Sequence, residues 1–180
     1  MRARAANGCG GVSLPELLAV LGIVAILSAA AVPSFREQRA SALATASSNS
    51  LLTALYHART VALLHAQPTV VCLSADGTQC LPAGAASAAG WIEFQNDHAE
   101  SPPRRDADEV LLASQRFGAG LTISGSRQAV TYWPVSRAGT TATFSFCAGR
   151  PVLAARAVIV SQSGRPRSKL LSPHDAVCRP

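Results

Sequence analysis

Gly11 to Phe35 read GVSLPELLAVLGIVAILSAAAVPSF, with Glu16 the only charge in the run and Arg2 and Arg4 ahead of it. As a helix rising about 1.5 Å per residue, Val12 to Val32 spans roughly 30 Å, the thickness of one bilayer core. A lone carboxylate near the start of such a run costs several kcal/mol in lipid, so it marks a functional position. Pro15 fits the first turn of a helix, where its missing N–H is no loss. A secretory signal peptide is a competing reading: it places its apolar region before a small-residue cut site, and Ser28 to Ala31 offers one. A lipid anchor on Cys9 fits less well, because no apolar run precedes that cysteine.

The chain has 180 residues, which leaves one globular domain of ordinary size beyond the apolar segment. Few aromatics and many small residues point to thin sheets. After the first eleven residues there are four cysteines, Cys72, Cys80, Cys147 and Cys178. An even count past an export signal points to two disulfides in an oxidising compartment. Three pairings are possible, and Cys72–Cys80 with Cys147–Cys178 is preferred. Asp76-Gly77 lies midway between the first pair as a hairpin-turn dipeptide. A metal site would need close-spaced ligand pairs, and the chain has no Cys-x-x-Cys or His-x-x-His. No metal and no cofactor are expected.

Helical character continues to about His65. Leu51, Leu55, Ala58, Ala62 and His65 recur at three and four as one stripe for packing on a sheet. Pro33 should kink the helix, and Gln67-Pro68 should end it. Short β-rich runs follow at Thr69–Ser74, Trp91–Gln95, Val110–Ala113, Leu121–Ser124, Ala129–Trp133, Thr141–Cys147 and Ala157–Ser161. Residues 82–90 and 98–109 read as surface loops. The pattern predicts an α+β fold, a long N-terminal helix packed on antiparallel sheet and tied by two disulfides.

The N-terminal pattern resembles the class III signal of type IV pilins and type II secretion pseudopilins. That resemblance implies cleavage by a prepilin peptidase after Gly11 and methylation of the new amine on Val12. It also implies that Glu16 pairs with a neighbouring subunit's amine during assembly. Val12 stands where the family usually has Phe, and Leu14-Pro15-Glu16 replaces a commoner Leu-Ile-Glu. The implied organisation is a leader at 1–11, a hydrophobic transmembrane helix at 12–34 and a pilin domain at 35–180. The Gly90-Trp91-Ile92-Glu93-Phe94 run and the late Gly164-Arg165-Pro166-Arg167 narrow the resemblance to the GspH/FimT family of minor pilins and pseudopilins. In the FimT-type branch, serving type IV pili and natural transformation, a C-terminal Gly-Arg-x-Arg resembles a DNA-contacting motif. The GspH branch serves protein secretion.

Charge distribution bears on that choice. Val12 to Phe144 carries eight basic and nine acidic residues, whereas Ser145 to Pro180 carries six basic residues against Asp175 alone. A basic segment on a near-neutral body is an electrostatic footprint for a polyanion. If the chain is extended after a turn at Ser163-Gly164, Arg165, Arg167 and Lys169 project from one face, about 6.6 Å apart. Charges with a proline on an edge strand also prevent edge-to-edge aggregation, and a basic tail can meet acidic lipid. No aromatic residue follows Phe146, so contact would be with phosphates and indifferent to sequence. His57, His65, His98 and His174 accompany no nucleophile motif, Asp106 to Glu109 reads as a solvated loop, and an enzyme is not expected. The sequence therefore predicts a minor pilin, held in the inner membrane with its domain periplasmic and then built into a pilus with other pilins. It would bind DNA through Gly164, Arg165, Arg167 and Lys169. A type II secretion pseudopilin and a purely structural pilus subunit are the alternatives.

Overall fold

Alanines at 40, 44, 54, 58 and 62 are all buried, and they let a helix lie close against sheet without bulky side chains intervening. The computed structural model describes residues 12–82, 88–135 and 140–172. Gly11, Cys178 and the His174-Asp175 pair lie outside these residues. One helix, α1 (Leu14–His65), runs through Pro33, and the chain divides into two units after Arg36.

In the first unit every large apolar side chain described from Val12 to Phe35 is about half exposed or more, Val32 being least so at 49%. A helix apolar on all sides has no aqueous face. Its most apolar stretch is long enough to cross a membrane, with a mean hydropathy of 2.3 over eighteen residues.

The second unit, Glu37–Pro180, places the rest of α1 on two antiparallel sheets. The first has the order β3 (Leu111–Arg116), β2 (Gly90–Gln95), β1 (Thr69–Ser74), β5 (Ala129–Tyr132). The second has the order β4 (Leu121–Gly125), β6 (Ala142–Ala148), β7 (Ala154–Val160), β8 (Pro166–Leu171). Leu51, Leu55, Ala58 and Ala62 share one core with Val71 and Trp91 of the first sheet and Phe144, Phe146 and Val158 of the second. Every residue of β1 is buried, because Val70 and Cys72 pack with Ile92 and Phe94 on its other face. Gly90 is required by the close passage of β3: a Cβ there would collide with the Gln115 carbonyl oxygen.

The α+β class stands, with adjustments. The stripe on α1 stops at Ala62, and His65 is exposed beyond it. The strands form two sheets. The Asp76-Gly77 turn does join Cys72 to Cys80 in a disulfide, but Cys80 lies in a loop instead of a partner strand. Gly77 takes φ 83°, and Thr78 N–H and Gln79 N–H both donate to Asp76 Oδ1, which holds that carboxyl well below the usual carboxylate range. Of the two disulfides expected, Cys72–Cys80 lies wholly among the described residues. Cys147 is buried on β6, and its expected partner Cys178 falls outside those residues.

Candidate functional site

The link from β7 to β8 is a tight turn. Gly164 adopts φ 72°, a left-handed conformation that glycine accepts without strain, and its N–H donates to Ser161 O at 2.8 Å. Ser161 N–H donates to Arg165 O at 3.1 Å and closes the turn. Beyond it Pro166 opens β8, which among the described residues pairs only with β7, so its missing N–H falls on the edge strand of the second sheet.

Two tyrosines grip this turn from other elements. Tyr132 on β5, buried, donates its hydroxyl to Gly164 O at 3.1 Å. Tyr56 on α1 donates to Pro166 O at 2.9 Å. Burial pushes the Tyr132 phenol far up from its ordinary value, so it stays a donor at any physiological pH. The basic segment is thereby fixed through its backbone to the helix and to the first sheet.

Side-chain alternation along β8 does the rest. Pro166 is buried against Val160, Arg167 stands opposite Ile159, and Lys169 stands opposite Ala157. Arg165, Arg167 and Lys169 are all exposed. Among the described residues none of the three forms an ion pair. Arg156 lies one residue out of phase and donates to Ser168 Oγ at 3.2 Å, so it belongs to the opposite face. Arg167 and Lys169 thus share one face of β8, and exposed Arg165 precedes them directly after the Gly164 turn. A row of exposed cations of this kind can hold an anionic polymer by its phosphates.

The remaining expected residues are separate. Val12 and Glu16 are exposed, Glu16 in the first turn of α1. His57, on α1, faces solvent on one side, and its Nδ1 sits 2.7 Å from Glu93 Oε1. Glu93 on β2 is 1% exposed, and burial pushes its carboxyl up from the ordinary value while His57 opposes the shift. A carboxylate between Ile92 and Phe94 in an apolar strand was the available signal for that pair. Tyr56 and Tyr132 left none, since their targets lie 110 and 32 residues away in the chain.

A family model described as type II transport protein GspH matches residues 47–164, about two thirds of the chain. The chain belongs to the GspH family. The GspH match covers the helix-on-two-sheets core and ends at Gly164, so Arg165, Arg167 and Lys169 lie past it, as does Glu16 at the other end. The family comprises minor pilins and pseudopilins of the GspH/FimT type, which are structural subunits. The fold is similar to that of the type IV minor pilin FimU of Pseudomonas aeruginosa PAO1, at 16% identity and a TM-score of 0.46, over 74% of this chain and 91% of FimU. It is also similar to the minor pseudopilin EpsH from the type 2 secretion system of Vibrio cholerae, at 14% identity and a TM-score of 0.49, over 74% of this chain and 99% of EpsH. No curated protein matches.

Proposed function

We propose that this GspH-family chain is a minor type IV pilin that is built into a pilus and binds DNA there for uptake in natural transformation. The observation that carries the reading is the row of exposed Arg165, Arg167 and Lys169 on an edge strand whose turn is held rigidly from two other elements. The three cations would make their contact with phosphates, independently of base sequence. At the other end, a prepilin peptidase cuts after Gly11 and methylates Val12. The apolar helix holds the precursor in the inner membrane with its domain in the periplasm, and Glu16 then pairs with a neighbouring pilin's amine. The role is structural and binding, without catalysis. The family description, type II transport, favours a second reading: a pseudopilin in protein secretion whose basic strand meets a protein partner.

Three phosphate contacts give a slope of about −2.7 in log affinity against log salt on duplex DNA. Affinity then falls about 40-fold between 50 and 200 mM salt. Arg165→Gln and Arg167→Gln should each flatten that slope by about 0.9 on unrelated sequences. Arg104→Gln, exposed in the 98–109 loop, is the matched charge control. Fluorescence anisotropy on the full chain in detergent measures the slopes. Transformation should drop in the strand variants while pili still assemble. Absent wild-type binding, or an equal fall in the control, refutes the DNA reading, and lost secretion with intact transformation favours the pseudopilin.

A further inference from the structure

The loop between β2 and β3 is solvated at His98 and Asp108, as its composition suggests, but it buries Glu109. Asp106 N–H donates to Glu109 Oε2 at 2.9 Å, and Arg105 Nη2 donates to the Glu109 carbonyl oxygen at 2.9 Å, which folds the segment into a turn. That turn presents Asp106 and Asp108 to His98, and one donor atom from each of these three residues lies within 4.8 Å of the others. His98 Nδ1 stands 3.6 Å from Asp106 Oδ2 and 3.7 Å from Glu109 Oε1.

An independent observation comes from Glu109. Its residue is 2% exposed, its Oε1 is buried, and that oxygen has no hydrogen-bond partner. His98 Nδ1, at 3.7 Å, is beyond hydrogen-bond reach. A buried carboxylate oxygen left in this way carries an uncompensated penalty. It points at the same imidazole nitrogen that Asp106 approaches, so the missing counter-charge belongs in the space between them.

We infer that His98, Asp106 and Asp108, with the buried Glu109 carboxylate beside His98, form a binding site for a divalent first-row transition metal, of which zinc is the natural probe. The donor set decides the class of ion. Calcium and magnesium take oxygen ligands, whereas one imidazole with carboxylates suits zinc and its neighbours. The spacing agrees. Ligands about 2.0–2.1 Å from a tetrahedral zinc stand about 3.3 Å apart, a few tenths of an ångström less than the 3.6 and 3.7 Å separations here. Charge also balances: three carboxylates against the Arg105 guanidinium leave two negative charges for a dication. The half-exposed His98 and Asp106 side chains give the ion a route in from solvent. Bound there, it would tie the loop to its own base. The site is independent of the basic strand.

Isothermal titration of the full chain in detergent with zinc chloride tests this, together with the zinc-induced rise in melting temperature. Wild type should bind one ion that His98→Gln and Asp108→Asn each weaken by about tenfold or more. Both side chains are exposed, so neither substitution should disturb the fold. Glu109→Gln keeps the buried shape. It should melt higher than wild type without metal, since the orphaned charge is gone, and gain less from zinc. Cobalt in place of zinc should give visible d–d bands in wild type that His98→Gln changes. No zinc binding by wild type, or equal binding in both exposed variants, overturns the site.

Discussion

Removing His57 while keeping Glu93 isolates a buried charge. Glu93 is 1% exposed on β2, and His57 Nδ1 reaches its Oε1 at 2.7 Å. His57→Ala leaves that oxygen buried without this partner, at a cost of about 2 kcal/mol. For a domain near 150 residues each kcal/mol moves Tm by roughly 3–4 °C, so the drop is roughly 6–8 °C at pH 8. Its pH dependence has a definite sign. Burial raises the folded carboxyl above its ordinary 4.5, so the native state holds this proton more tightly than the unfolded state does. The penalty is absent below the unfolded value, grows as pH rises above it, and is complete once pH passes the folded value. The imidazole opposes that penalty in the wild type. The gap between His57→Ala and wild type should therefore be small near pH 4 and larger at pH 8. Glu93→Gln in the His57→Ala background removes the buried charge and should return most of the loss at pH 8. Circular-dichroism melts of the full chain across this range measure all three. A gap that is equal at pH 4 and pH 8, or a double variant no better than the single one, refutes this account.

Cys80→Ser opens a bridge of sequence separation 8 and should cost about 2–3 kcal/mol, read as a lower denaturant midpoint that reductant reproduces in the wild type. Glu16→Ala should still insert into the membrane, since an expensive carboxylate is gone, yet be missing from sheared pili. Normal amounts there would remove Glu16 from assembly. Replacing Gly11 with a bulky residue should block processing, whereas mass spectrometry of the wild type should find a chain beginning at methylated Val12. An N terminus near Ala31 would mean an ordinary secreted protein.

The parts of the fold visible in the sequence are those encoded locally. Gln67-Pro68 stops α1 within two residues of His65, and β1 occupies Thr69–Ser74 as the apolar run indicated. Alternation of charge along Arg165 to Lys169 likewise gave the exposed face. Long-range partners were not visible. β7 begins at Ala154, ahead of the run expected from Ala157, because pairing with Ala148 on β6 extends it. Nothing near Val110 told that β3 runs on through the polar Ser114, Gln115 and Arg116, which is possible because it is an edge strand with mostly exposed side chains. Glu109 looked solvated because composition cannot reveal that a backbone turn folds a carboxylate inward. His57 and Glu93 meet only when α1 lies on the first sheet.

The grip of Tyr56 and Tyr132 on Gly164 and Pro166 falls on carbonyl oxygens, which every amino acid possesses. The shape of the turn is therefore independent of what residues 165, 167 and 169 carry. An arginine there can give way to lysine, glutamine or an acid with the same ridge retained, so the charge this edge presents can change without the turn being rebuilt.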